Sequence, residues 1–434
     1  MSKLDHVLII GGGIGGLCLA QGLQRAGVNA TVYERDRAIT DRLQGYRVHI
    51  SPKGSRALHD CLPAKLFETF AATCGRPPRA FRMLTERMQT LISVAGFTEP
   101  GGDAVEQHRS VSRITLRQVL LAGLGKRVLF AKTFVRYETH GDRVVALFED
   151  GSSAEGDVLV AADGGGSRVR RQYLPHAERI DTGVAAIGGK VFLDGETRGG
   201  IPIALRDSLA LVSGPGGRGL FVAPQEFTHT APVNGIGGAE AAVDATGGSL
   251  FDNTRSYLMW AFGAQRRSMG LNADDMPCAE TLRGIALAGM ADWDAGYRDL
   301  VRMTDPDTLS LLTIRTSRPV NPWQTSRVTL LGDAIHSMTP YRGIGANIAL
   351  RDAALLCRQL VRAAHGEAAL LDAIAEYERA MRRYGFAAVR ASLEAMKAQL
   401  ETGALARTAT RAMLRLADRI PVLKRWFFLA MAAE

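Results

Sequence analysis

Three glycines and an acid carry the clearest chemistry in this sequence. Gly11, Gly13 and Gly16 spell G-x-G-x-x-G, with Ile14 and Gly15 inside the motif, and Glu34 and Arg35 follow about twenty residues on. The first glycine allows a tight strand-to-helix turn, the second lets backbone approach a pyrophosphate, and the third lets helix and strand pack closely. A helix starting there offers unpaired N–H groups and a partial positive charge to phosphate. A carboxylate at Glu34 accepts from ribose hydroxyls and repels a 2′-phosphate, which disfavours NADP as the resident dinucleotide. Two more acids are placed for ligand hydroxyls. Asp163 in ADGGGSRVR and Asp333 in LLGDAIHSMTP each follow an apolar run, and an Asp at the C-terminal end of a strand reaches a ligand in the crevice beyond it. The alternative for Asp333 is a turn or helix N-cap. Gly343, Gly345, Ala346 and Asn347 then open a helix whose first N–H groups can face developing negative charge.

These residues need particular elements to hold them. Val7–Ile10 reads as a buried strand, Leu17 to Leu23 keep a helical period up to Gly27, and Ala30–Tyr33 is a second strand. Strand, helix, strand and acid in that order distinguish this motif from a chance match. Gly214, Gly216 and Gly219 repeat the spacing, but between two strand-like runs, so they predict a hairpin turn. Ser51 and Pro52 predict a helix start, residues 110–124 a helix, and His140–Asp142 a hairpin. From about 172 to 320 short apolar and alternating runs predict a mostly antiparallel sheet, followed by a helical stretch over 279–302. Residues 346–364 and 368–400 keep a helical period. The expected organisation is α/β: a Rossmann-like dinucleotide-binding domain over 1–175 and 320–365, an inserted antiparallel β-sheet substrate domain over 176–319, and a C-terminal helical region over 366–434.

Composition narrows the function classes. The chain has 434 residues, 46% hydrophobic and 22% charged, with a formal charge of +9. That is globular and long enough for two or three domains. No basic run carries interleaved aromatics, which argues against nucleic-acid binding. The five cysteines form no CxxC pair, so neither a disulfide framework nor a metal site is indicated, and a cytoplasmic setting is expected. No apolar run is long enough to span a membrane. The apolar, basic-flanked KRWFFLAMAAE at 424–434 reads as a helix docked on its own domain, with contact to a membrane surface as the alternative. No GxSxG or HExxH indicates a hydrolase.

The three motifs, in this order and at these separations, resemble the single-component FAD-dependent aromatic hydroxylases, the para-hydroxybenzoate hydroxylase type of monooxygenase. Gly11, Gly13, Gly16, Ala20, Leu23, Gly27 and Glu34 match the long FAD fingerprint, ADGGGSRVR the family's DG motif, and LLGDAIHSMTP its GD motif. The resemblance covers most of 1–175 and 320–365. Ile344 and Gly166 stand where the family often has Gln and Asn. The resemblance implies an FAD-dependent enzyme with NADPH or NADH as a transient co-substrate, O2 as oxidant, and a flavin C4a-hydroperoxide that oxygenates an aromatic or polycyclic phenolic molecule. It implies that Asp333 contacts the FAD ribityl chain, that Arg113 lies near the FAD phosphates, and that Asp163 serves both FAD and NAD(P)H. A reductase or dehydrogenase, a Baeyer–Villiger oxygenase, or a flavin-binding protein without turnover are the rival readings. A halogenase is disfavoured because WxWxIP is absent.

Residues that act on substrate are less defined. His336 and Pro340 follow the GD motif and are expected near the flavin ring; for His336 a buried structural role competes equally. Arg47 lies on the strand after the first loop, read as turned by alternation away from Tyr46 and His49. Phe221 and Met259 are expected to offer apolar surface to substrate. The expected partners are small molecules, with the chain a monomer or homodimer.

Overall fold

The computed structural model describes residues 4–38, 41, 46–95, 103–227, 233–234, 236, 255–400 and 403–424. Gly45, where the sequence run GYRVHI predicts a strand to begin, and nearly all of KRWFFLAMAAE lie outside these residues.

A five-stranded parallel sheet carries the nucleotide motifs. Its order is Val328–Leu330, Val158–Ala161, Val7–Ile10, Ala30–Tyr33, Val128–Leu129. Val7–Ile10 is central and fully buried, as a strand covered on both faces must be. The helix Ile14–Arg25 follows it directly and buries Leu17, Leu19 and Leu23. The three motif loops therefore leave the same end of neighbouring strands, so Gly11–Gly16, Asp163 and Asp333 meet at one crevice. Helices Gly345–Ala364 and Leu370–Gln399 cover this core, with Leu356, Leu360, Tyr377 and Met381 buried in it. Ser51 caps the helix Pro52–Cys61 by accepting from the Gly54 N–H, with Pro52 at its first turn, as the sequence predicts. Cys18 and Cys357 are buried in the core.

A seven-stranded sheet forms the second body. Its order is Ser310–Ser317, Arg179–Phe192, Tyr257–Gln265, Arg218–Gln225, Ser208–Gly214, Ala80–Thr85, Thr90–Ala95. The predicted hairpin at Gly214–Gly219 is present, with Gly216 and Gly217 both at positive φ. The sheet is not confined to 176–319. Two strands come from 80–95, and Ala80–Thr85 pairs parallel with Ser208–Gly214. Two boundaries also differ from expectation. Arg109–Ser112 is a strand paired with Arg47–Ile50, so the helix begins only at Arg113. The stretch 279–302 divides into Ala279–Gly289 and Ala295–Arg302.

The two sheet faces differ. Leu220, Val222, Leu258, Trp260 and Phe262 point to one side and are buried under the two helices of 279–302. Alternation sends Phe221, Met259, Lys190, Tyr257 and Gln225 to the other, the side that meets the nucleotide fold. Contact there is direct: a Cβ added at Gly263 would lie 2.6 Å from the Tyr341 hydroxyl, next to Pro340. The helix Ala404–Arg419 lies on the last strand, where Leu414 and Ala417 pack on Leu91 and Ile92 and Asp418 accepts from the Ser93 N–H.

Candidate functional site

The glycines of the first motif have separate reasons to be glycine. Gly11 has φ +110, and a Cβ there would meet the Ala162 carbonyl at 2.4 Å. A Cβ at Gly16 would meet the Gly11 carbonyl at 2.2 Å, and one at Gly15 would meet Leu331 at 2.6 Å. The backbone contacts at Gly11 and Gly16 make the fold itself require glycine there, whereas the Leu331 side-chain end at Gly15 can move aside. Gly13 is different: the nearest atom to its added Cβ is 4.0 Å away. Nothing described in the protein forbids a side chain there, so the space in front of Gly13 is left for something else. Helix geometry also leaves the N–H groups of Ile14, Gly15 and Gly16 without intrahelical acceptors.

Glu34 is buried and holds the loop. One oxygen accepts from the Gly12 N–H at 2.6 Å and the other from the Asp36 N–H at 2.9 Å. Arg117 lies 3.2 Å from Asp36 and 3.8 Å from Glu34, and donates to the Gly12 carbonyl. Asp36 and Arg117 were not singled out in the sequence. Arg113 opens the same helix one turn earlier with its side chain exposed. Arg35 is exposed and makes no hydrogen bond or ion pair among the described residues.

Asp163 and Asp333 are placed differently. Asp163 accepts the Arg168 N–H at 2.8 Å through one oxygen, while the other is buried without a partner. Burial raises its pKa against these bonds. Arg170 ties the two loops together by donating to the Ala334 and Gly165 carbonyls. Asp333 is exposed, and no described residue hydrogen-bonds its carboxylate. It is not an N-cap: Gly332 occupies that position, at φ 59.

His336 is turned inward. It is 1% exposed, its Nε2 lies 2.6 Å from Asp352, and its ring packs on Gly385. Burial works against charge on the imidazole, but the Asp352 carboxylate outweighs it and raises the pKa. Asp352 also accepts from the Gly332 N–H at 2.7 Å and the Tyr384 hydroxyl at 2.6 Å. His336 thus positions the Asp333 loop from beneath. The Asn347 side chain is likewise spent inside the protein: it accepts from the Ser51 N–H and donates to the His49 carbonyl. Its backbone N–H remains at the helix N-terminus with those of Gly345 and Ala346. Pro340 is exposed at the head of this loop, and Gly343 follows it at φ 64.

Arg47 does not face away from His49. Two residues apart on one strand, they share a face and line one small pocket with Pro77, Pro78, His108, Arg109, Ser110 and Leu209. His49 stacks on His108, ring nitrogens 3.2 Å apart. Burial, then Arg47, then His108 drive the His49 pKa down to about 3, so it is neutral. Burial lowers Arg47 to about 10, opposed by Tyr257. Phe221 and Met259 are half-buried on the sheet face toward the nucleotide fold.

The comparisons with known proteins agree with this geometry. Residues 9–86 match the NAD(P)-binding Rossmann-like domain and residues 298–392 the FAD binding domain. A Photorhabdus luminescens protein assigned as an FAD containing monooxygenase has a solved structure that superposes with TM-score 0.79 at 36% identity, covering 92% of this chain and 99% of that one. The chain belongs to the FAD-dependent monooxygenases. The dual O-methyltransferase/FAD-dependent monooxygenase elcB of Phaeosphaeria nodorum is 32% identical over 381 residues, 81% of this chain but 39% of that protein. The chain therefore spans about two fifths of that relative. The FAD-dependent urate hydroxylase of Klebsiella pneumoniae is 29% identical over 353 residues, 80% of this chain and 79% of that protein. FAD is the cofactor. The residues present fit it: open space at Gly13, an Asp333 carboxylate that no described residue hydrogen-bonds, an unpaired buried oxygen on Asp163, and two helix N-termini. Among the described residues no helix is long and apolar enough to cross a membrane, and no cluster of ligands for a metal occurs.

Proposed function

We propose that this flavoenzyme uses NADH or NADPH and O2 to hydroxylate an aromatic small molecule held between the seven-stranded sheet and the nucleotide fold. The observation that carries the reading is the half-buried sheet face bearing Phe221 and Met259, turned toward the loop that runs from Asp333 to Asn347. In this reading the space at Gly13 and the first N–H groups of Ile14–Gly16 take the pyrophosphate. Glu34 takes the adenosine ribose, Asp333 a ribityl hydroxyl, and Asp163 its second oxygen's partner. Arg113 and Arg117 offset phosphate charge. Gly343, Gly345, Ala346 and the Asn347 backbone would offer N–H groups and a helix dipole to negative charge developing on a bound flavin. When bound, FAD supplies the redox chemistry by which one atom of O2 enters the substrate and the other leaves as water.

The protein's share is orientation and exclusion of water. Phe221 and Met259 form an apolar wall, and the sheet closes the chamber against the loop at Tyr341. Substrate choice then belongs to the seven-stranded sheet, including its strands from 80–95, rather than to 176–319 alone. The test is turnover with phenolic compounds under labelled O2, following NAD(P)H loss and product mass. Substrate-stimulated NAD(P)H oxidation that places one labelled oxygen in the product supports the reading. Oxidation of NAD(P)H with no oxygen in any product would instead favour the reductase.

A further inference from the structure

We propose that Lys190, Arg47 and the Gln225 amide form an anion-binding wall of this chamber, so that the substrate is held as an aromatic anion, a carboxylate or phenolate. The proposal rests on the chamber reading above and names its substrate class.

Lys190 is 5% exposed. Buried cations are ordinarily paired, because leaving water is costly without a compensating charge. Among the described residues its ammonium has no ion pair or hydrogen bond. It lies over the rings of Tyr257, at 4.6 Å, and Tyr46, at 5.9 Å. Asp305 attracts it only from a distance, and burial dominates, taking its pKa down to about 8. Arg47 also has no carboxylate partner among the described residues, and its Nε is buried and unpaired. Gln225 is fully buried with both amide atoms unpaired.

These groups share one place. Gln225 stands opposite Tyr257 in the strand ladder, and Lys190 stands opposite Met259 on the next pair. Tyr257 and Met259 are two residues apart, so all four project to the same face. Arg47 approaches it from the nucleotide side, close enough to Tyr257 for the two to interact electrostatically. Natively folded proteins seldom leave buried donors unmet, and those that remain ask for a missing partner. Two cations and an amide beside apolar Phe221 and Met259 call for a ligand with an aromatic body and a negative end.

The experiment uses the FAD-loaded wild type, Lys190→Gln and Arg47→Gln. Each is titrated with 1-naphthoate, its neutral counterpart 1-naphthamide, and 4-nitrophenol, read by perturbation of the flavin spectrum and by the nitrophenolate band. The wild type is expected to prefer the carboxylate over the amide by about 10- to 100-fold, the range of charge-assisted bonds. It is also expected to bind 4-nitrophenol as the yellow anion. Both substitutions should erode that preference. In the wild type the preference should fall as pH rises through about 8, where Lys190 loses its proton, and Lys190→Gln should lack that step. Equal binding of acid and amide, an unchanged preference in Lys190→Gln, or no binding of any probe would overturn the proposal. So would loss of FAD from either variant, which would assign that cation to the cofactor. An FAD-loaded wild type that oxygenates substrate but shows no anion preference would leave the monooxygenase reading standing.

Discussion

The loops around the nucleotide crevice and the sheet face across from them treat buried polar groups in opposite ways. In the crevice nearly every such group is spent within the protein. Glu34 holds Gly12 and Asp36, Asn347 joins Ser51 to His49, and Asp352 gathers Gly332, His336 and Tyr384. Among the described residues, the open space at Gly13, the Asp333 carboxylate, one oxygen of Asp163 and two helix N-termini are left without a hydrogen-bond partner. Across the chamber, Lys190 and Gln225 are buried and unspent. The difference teaches that the cofactor cradle is self-supporting before anything binds. The sheet face instead carries a desolvation cost that a ligand would offset.

The sharpest break of this comparison is Gly16→Val. A Cβ there would lie 2.2 Å from the Gly11 carbonyl, a backbone atom that cannot swing aside, and 3.0 Å from the Ala162 Cβ. The expected outcome is loss of folded protein, checked by circular dichroism and solubility; a folded variant would mean that the turn is more plastic than its packing implies.

A smaller effect is expected at Asp333. Asp333→Ala should weaken FAD by about 10- to 150-fold, the equivalent of a charge-assisted hydrogen bond of roughly 1.5–3 kcal/mol, and Asp333→Asn should weaken it less. Apo-protein melting should be nearly unchanged, since the carboxylate bonds nothing described in the fold. A fall in apo-protein melting with FAD affinity intact would place Asp333 among the structural acids.

The smallest effect tests the sheet side. Folded Lys190 loses its proton near pH 8, while the unfolded chain keeps it to the ordinary 10.5. Between those values the unfolded state binds more protons, so wild-type stability gains with rising pH. Lys190→Met should therefore melt higher than wild type at pH 7, and its advantage should shrink from pH 8 toward 10.5. A constant gap across that window would show that Lys190 is not strained by burial.

Much of the nucleotide side was legible because its signals are local. Strand, glycine turn, helix and acid fall within one short stretch, and the hairpin at Gly214–Gly219 is a matter of adjacent residues. What the sequence withheld depends on distant pairing. Ala80–Thr85 joins Ser208–Gly214 across more than a hundred residues in parallel register, which no local pattern announces. Arg113 and Arg117 are one turn apart on a single helix, and only the fold decides that Arg117 meets Glu34. His336 and Asp352, sixteen residues apart, meet only in the fold. An acid inside the apolar helix 346–364 was a usable signal for Asp352, as was a lone lysine in AAIGGKVFL for Lys190.

The central claim, that the crevice is built around FAD, turns on the one motif glycine that the protein itself does not need. Gly13→Val should fold, because no described atom lies within 4.0 Å of its added Cβ except the Ala162 carbonyl at that limit. FAD content per folded chain after purification and reconstitution is the measurement. Folded protein with no retained FAD is the predicted result; folded Gly13→Val carrying one FAD per chain would contradict the account.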